Sequence, residues 1–96
     1  MGGTNMTNVI TVEAFANMTK NGNYIVENQD SWNIHFEMLK ANISYDKDYN
    51  EISFHPVDGG ACLYIDTQII DEITEYQGNF NISFNGVMSD LIITKN

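Results

Sequence analysis

Carboxylates are the most abundant chemically active side chains in this 96-residue sequence. Thirteen Asp and Glu residues stand against four Lys residues and no Arg, and the net charge is −9. Because affinity for nucleic acid comes mainly from Lys and Arg that neutralise phosphates, this composition excludes direct nucleic-acid binding. Binding to an anionic membrane surface is disfavoured for the same reason, whereas a basic protein partner is favoured.

Most of the carboxylates fall into three blocks along the chain. Two blocks supply a predicted partner-binding acidic face, made of Asp46, Asp48, Glu51, Asp66, Asp71, Glu72 and Glu75. The third block is Glu27, Asp30 and Glu37. Alternate residues of a strand lie about 6.6 Å apart on one face, so fixed carboxylates can imitate a row of phosphates. Such a face could occupy a basic groove that an enzyme keeps for nucleic acid, and the complex should weaken with salt.

The single cysteine, Cys62, lies seven residues after His55. This spacing across a loop can bring a thiol and an imidazole together as nucleophile and base. No orienting carboxylate or oxyanion site is indicated, so a small buried core cysteine is the favoured interpretation. One cysteine also excludes an intramolecular disulfide and fits a reducing compartment.

Two patterns suggest a metal ion, and both fall short. Asp46, Asp48 and Asn50 begin a calcium-loop pattern, but Glu51 and Val57 stand where such a loop has Gly and Glu. A solvated turn is favoured there. A second set, His35, Glu37 and His55, lacks the close ligand spacing of zinc sites, so isolated surface histidines are favoured. We therefore predict no metal, no cofactor and no catalytic activity.

Hydrophobic periodicity predicts one helix followed by strands. Thr11 is a suitable N-cap, Glu13 suits the first turn, and Asn21–Gly22 is a stop signal. The predicted strands then lie near residues 24–26, 32–38, 43–45, 52–54, 62–65, 80–84 and 91–94, where apolar residues alternate with polar ones or cluster. Polar turns are expected at 46–50, 55–60 and 85–86.

Residues 66–77 support two alternatives. As a helix, Ile69, Ile70, Ile73 and Tyr76 would share one face. As a strand, the Ile, Thr and Tyr content fits better, and Gln77–Gly78 becomes a hairpin turn. We expect a helical turn near 66–70 and leave the remainder open.

The fold class predicted from these elements is α+β: an antiparallel, meander-like sheet with one N-terminal helix and, in one alternative, a second short helix near 66–77. Residues 1–96 are expected to form a single domain, with residues 1–8 a candidate disordered or tag-derived segment. No long apolar run or signal peptide is evident, which predicts a cytoplasmic protein.

A small, acidic, Arg-free α+β chain resembles proteins of phages and mobile elements, in particular anti-CRISPR and anti-restriction inhibitors. The resemblance lies in size, charge and fold class. It implies a non-catalytic inhibitor of a host nucleic-acid enzyme, with a CRISPR effector nuclease or another defence enzyme as the basic partner. The alternative is a protein–protein interaction module that binds through a sheet edge or through its tyrosines: Tyr45, Tyr49, Tyr64 and Tyr76.

Overall fold

The chain folds into one eight-stranded antiparallel sheet with a single α-helix in the part that is described. The computed structural model describes residues 7–28, 36–86 and 89–96, with only the backbone for 36–39. The elements are β1 (Asn8–Ile10), α1 (Val12–Thr19), β2 (Tyr24–Asn28), β3 (Phe36–Asp46), β4 (Glu51–Pro56), β5 (Leu63–Asp66), a 3-10 helix (Thr67–Ile69), β6 (Ile70–Tyr76), β7 (Asn79–Phe84) and β8 (Leu91–Lys95).

Two meanders and the short strand β1 make up the sheet, whose strand order is β1-β6-β7-β8-β2-β3-β4-β5. Strands β2 to β5 form one meander and β6 to β8 the other, and β8 pairs with β2 to join them. The predicted α+β class and antiparallel sheet are confirmed at this level, although strands dominate the fold. Neighbouring strands of the sheet are consecutive in the sequence except at two places: β8 lies beside β2, and β1 lies beside β6.

The sheet is strongly curled, as one short connection requires. In the strand order β6 is second and β5 is eighth, which would separate them by roughly 29 Å in a flat sheet. Only three residues lie between Asp66 and Ile70, and the four steps from one to the other can span at most about 14 Å. The 3-10 helix in this connection is bonded on both sides: Thr67 N donates to Asn50 O (2.7 Å) and Asn85 N donates to Ile69 O (2.8 Å).

The core lies inside the curl and is built from inward-facing strand residues. Its members are Phe15, Tyr24, Val26, Ala41, Ile43, Ile52, Phe54, Ile65, Ile73, Phe80, Ile82, Phe84, Leu91 and Ile93. Helix α1 contributes Phe15, which is fully buried and meets Phe80 edge-to-face with ring centroids 5.0 Å apart. Such aromatic pairs stabilise a fold beyond the area that they bury.

The helix begins where the sequence predicts. The Thr11 side chain accepts a hydrogen bond from Ala14 N at 3.0 Å, which satisfies one of the free amides of the first turn. The helix ends at Thr19, before the predicted stop. Gly22 is needed for a different reason: a Cβ there would lie 2.8–3.0 Å from the Tyr24 ring.

Two predictions need correction and one open alternative is resolved. The turn predicted at 55–60 begins later, because His55 and Pro56 still belong to β4. Residues 43–45 do not begin a separate strand, because β3 runs without a break from Phe36 to Asp46. Residues 70–76 form a strand rather than a helix, and the expected helical turn is the 3-10 helix before it. Gln77 and Gly78 make the hairpin turn of the strand alternative, with φ of 52° and 84°.

Some predictions fall outside the described residues. Residues 32–35 of the predicted 32–38 strand do so, and of the 1–8 segment only 7 and 8 are described, with Asn8 beginning β1. In the described ranges, the chain has no helix with the length and apolar character needed to cross a membrane.

Candidate functional site

Alternation along β3, β4 and β5 places polar side chains together on the side of the sheet away from the core. Ile52 and Phe54 of β4 point inward, so the residues between and beside them point outward. We call this surface the outer β3–β5 face. Its members are Asn42, Ser44 and Asp46 from β3, Glu51, Ser53 and His55 from β4, and Cys62, Tyr64 and Asp66 from β5 and the residue before it.

Three carboxylates form a row across this face. Asp46 is the direct cross-strand partner of Glu51, and Glu51 is the direct partner of Asp66. We call these three residues the acidic row. Neighbouring strands lie about 4.8 Å apart, so the row extends over about 10 Å. Within the described ranges the ion pair that forms, Lys47 Nζ with Glu13 Oε1 at 3.8 Å, involves no member of the row.

Two members of the row also fix the local backbone. Asp46 Oδ1 accepts hydrogen bonds from Asp48 N (3.0 Å) and Tyr49 N (3.3 Å), which holds the turn between β3 and β4. Asp66 Oδ1 accepts a bond from Gln68 N at 2.8 Å and caps the 3-10 helix. These bonds limit the motion of both carboxylates, so the row is held in place at its two ends.

The other predicted acidic residues are dispersed. Asp48 is exposed in the turn beside the row. Asp71 and Glu72 are exposed at the irregularity in pairing between β6 and β7. Glu75 lies opposite the buried Phe80, where its carboxylate accepts bonds from Gly78 N (2.9 Å) and from Asn8 Nδ2 (3.3 Å). The block 71–75 therefore does not present one common face.

Exposed tyrosines flank the acidic row. Tyr49 is 79% exposed in the turn that Asp46 holds, and Tyr64 is 56% exposed two residues before Asp66 on the same face. Tyr76 is also exposed but lies on β6. Tyr45 packs against the core and is half-buried, so it is not a free anchor. Of these tyrosines, Tyr64 thus shares a face with the acidic row, and Tyr49 lies in the adjacent turn.

A chain of hydrogen-bonding side chains crosses the same face beside the row. Cys62 Sγ lies 3.2 Å from His55 Nδ1, and His55 Nε2 lies 3.0 Å from Ser53 Oγ. The Ser53 hydroxyl is in turn 2.7 Å from that of Ser44. The favoured interpretation of Cys62 as a core residue is wrong, since Cys62 is half-buried and lies outside the core cluster.

Tyr64 links this chain to the acidic row. Its hydrogen bond with the Cys62 side chain raises the pKa of the Tyr64 hydroxyl above its usual value, and the charges of Cys62 and Glu51 and partial burial act in the same direction. The Tyr64 ring also meets the His55 ring edge-on, with centroids 6.1 Å apart. Tyr64 therefore presents a neutral hydroxyl at neutral pH, between a thiol and a carboxylate.

The alternation of apolar and polar residues along β5 indicates that Cys62 points outward. Leu63 and Ile65 face the core, so the even-numbered neighbours Cys62 and Tyr64 must face outward. Of the set His35, Glu37 and His55, for which isolated surface histidines are predicted, His35 and the side chain of Glu37 lie outside the described part of the chain. In the described part of the chain, no three His, Cys, Asp or Glu side chains converge as metal ligands would.

The outer β3–β5 face thus combines a row of carboxylates, the exposed Tyr64 and a thiol–imidazole pair, and Tyr49 is exposed in the adjacent turn. Except for Cys62, which precedes β5, its polar residues belong to strands rather than to loops. Comparison of the chain with models of protein families, with curated proteins and with solved structures finds no significant match.

Proposed function

We propose that this protein is a non-catalytic binding protein whose outer β3–β5 face occupies a basic groove of a macromolecular partner. The observation that carries the proposal is the acidic row: Asp46, Glu51 and Asp66 in direct register on three adjacent strands. A partner that normally binds a nucleic-acid backbone has the complementary row of Lys and Arg.

The acidic row works against the stability of the fold. Like charges placed directly opposite each other on neighbouring strands are destabilising, and Glu51 has one on each side. No lysine of the described chain forms an ion pair with the row. Departures from local optimality concentrate at functional sites, and a cationic partner surface would relieve this one.

The tyrosines beside the row give the proposed contact an apolar component. Tyr and Trp are enriched in the residues that contribute most to interface affinity. Tyr49, in the turn beside the acidic row, and Tyr64, two residues before Asp66, are exposed and can pack on a partner while the carboxylates meet its cations. Binding would then combine charge-driven association with aromatic contacts that slow dissociation.

The partner that this chemistry fits is a nucleic-acid enzyme with a basic groove, such as a CRISPR effector nuclease or another defence enzyme. The protein would act in the cytoplasm of a bacterial cell as an inhibitor encoded by a phage or mobile element. The small size, the acidic charge and the absence of Arg support this placement.

A capture experiment tests the proposal. The immobilised chain is incubated with the heparin-binding protein fraction of a bacterial lysate, which is enriched in proteins with basic nucleic-acid grooves. We expect specific capture at low salt, release at high salt, and release by short duplex DNA that competes for the same groove. A variant with Asp46→Asn, Glu51→Gln and Asp66→Asn keeps the acceptor oxygens but loses the charge, and should capture little.

The matched control is a variant with Glu27→Gln, Asp58→Asn and Asp90→Asn. It removes the same number of negative charges from positions outside the acidic row, so its net charge equals that of the row variant. Equal capture by the two variants would contradict the proposal, because net charge alone would then explain binding.

A sheet-edge contact is the second candidate, and the position of β5 favours it. This strand is the last in the sheet order and carries the exposed Tyr64. A partner strand could add to it through backbone hydrogen bonds. Such binding would resist salt and DNA and would survive the charge-neutralised row variant, so the same experiment separates the two modes.

A further inference from the structure

The hydrogen-bonded series of side chains from Cys62 to Ser44 has the geometry expected around an activated thiol. Cys62 Sγ and His55 Nδ1 are 3.2 Å apart, within the reach expected of a nucleophile and its base. The third requirement of such an arrangement is a group that orients the base. Here it is the Ser53 hydroxyl, 3.0 Å from His55 Nε2.

The two serines can select the tautomer of His55. Ser53 is buried with 9% of its surface exposed, and its hydroxyl is 2.7 Å from that of Ser44. When Ser53 donates to Ser44, its oxygen is left to accept from His55 Nε2–H. The proton on Nε2 then leaves Nδ1 as an acceptor that faces the thiol.

We propose that Cys62 is a reactive thiol that forms mixed disulfides with small disulfides that carry no negative charge, with His55 as the group that carries the proton. The sulfur of Cys62 attacks one sulfur of the reagent, a new S–S bond forms, and the S–S bond of the reagent breaks. The thiol proton passes to His55 Nδ1 and then to the departing sulfur, which leaves as a thiol. The disulfide is the oxidant, so the exchange balances.

The charge around the thiol sets the preferred class of reagent. Glu51 and Asp66 lie on the same face beside Tyr64, and the chain as a whole carries −9. Both carboxylates lie about 13 Å from Cys62 along the strands. At about 0.01 M salt, where the screening length is roughly 30 Å, anionic reagents are therefore repelled from Cys62 and cationic ones are attracted. We expect cystamine, which is cationic, to modify Cys62 faster than the anionic glutathione disulfide does. The ratio of these two rates should be larger for Cys62 than for free N-acetylcysteine.

Alkylation by iodoacetamide tests the activation itself, because the chain has one cysteine and each modified molecule reports on it. The native thiol is half-buried. Without activation it must react more slowly than the thiol of the urea-unfolded chain. We expect it instead to react faster, by on the order of tenfold or more, after correction with N-acetylcysteine in the same urea. A native thiol that reacts more slowly than the unfolded one would overturn the proposal.

Variants assign the roles. His55→Asn removes the base and should bring the native rate below that of the unfolded chain. Ser53→Ala keeps the base but removes the hydroxyl that orients the His55 ring, so we expect an intermediate rate. Ser53→Thr returns the hydroxyl and should restore the rate of the native protein. Circular dichroism confirms that each variant is folded. An unchanged rate in His55→Asn would show that the imidazole does not activate Cys62.

Discussion

The replacement of Glu51 by Gln tests whether the acidic row is electrostatically strained. Glu51 is the central member, with Asp46 opposite on β3 and Asp66 opposite on β5. Glu51→Gln keeps the length and polarity of the side chain and removes its charge. Because the variant relieves two like-charge contacts at once, we expect the protein to become more stable, whereas most substitutions destabilise.

The size of the gain follows from the pairing. Directly opposed cross-strand pairs contribute roughly 0.2–1 kcal/mol each, and like charges contribute against folding by a similar amount. Two contacts therefore predict a gain of about 1 kcal/mol. For a domain of this size that corresponds to a rise in melting temperature of about 4–8 °C.

Urea unfolding at low ionic strength, followed by circular dichroism, measures the gain as a higher midpoint with an unchanged slope. The measurement is repeated near 1 M salt, where the screening length falls to about 3 Å. We expect the gain to shrink there, since it is electrostatic. Asp58→Asn is the control: this exposed loop residue has no cross-strand partner in the described sheet, and its substitution should leave the midpoint unchanged.

Two results would refute the reasoning. A loss of stability in Glu51→Gln at low salt would mean that the carboxylate makes favourable interactions that outweigh its repulsion. A gain that persists undiminished at high salt would assign the effect to something other than charge. Either result would remove the main physical support for the acidic row as a binding feature.

Three further predictions concern the fold. Phe15→Ala should lower the free energy of unfolding by about 3–5 kcal/mol, because it empties the core position that anchors α1 against Phe80; urea unfolding measures it. Gly78→Ala should cost about 1 kcal/mol in the same assay, because φ is +84° there although space is open. Burial raises the pKa of Tyr24, so the folded state keeps a proton that the unfolded chain loses near pH 10. The free energy of unfolding should therefore fall as pH rises above about 10. The fall should be smaller in Tyr24→Phe, which has no hydroxyl to titrate.

Controls separate these effects from general damage. Phe15→Leu should cost much less than Phe15→Ala, since it keeps most of the volume. Gly59→Ala also lies at positive φ with nothing within 4 Å of the added carbon, so a similar cost at both glycines would confirm a purely conformational origin. For Tyr24, an alkaline loss of stability that is equal in wild type and Tyr24→Phe would assign the loss to other groups.

Alternation made most strands predictable from the sequence, and an irregular pairing hid one. Inward-facing residues alternate cleanly in β7, where Phe80, Ile82 and Phe84 are all buried. In β6 the register shifts between Ile70 and Glu72. Ile70 and Ile73 consequently both face the core although they are three residues apart. Three-residue spacing is a helical signal, so the bulge gave this strand the appearance of a helix.

The composition of the candidate site was predictable, but its assembly was not. The sequence shows that Asp46, Glu51 and Asp66 are acidic; it does not show that they are direct neighbours, because that depends on the register of two strand pairs. The contact between His55 and Cys62 depends on the same register. The acidic residues within 71–75 are close in sequence, but they do not share one face because this segment is a strand and not a helix.

The register that builds the core also positions the outer β3–β5 face. A slip of one residue in β4 would move Ile52 and Phe54 out of the core and would carry Glu51, Ser53 and His55 inward. The apolar side therefore prevents the polar side from shifting. Side chains held in this way lose little conformational freedom when a partner or reagent binds. The loss of that freedom is a main cost of association. A sheet with polar residues on both sides would lack this constraint, so the buried inner face is what fixes the positions of the acidic row and of His55.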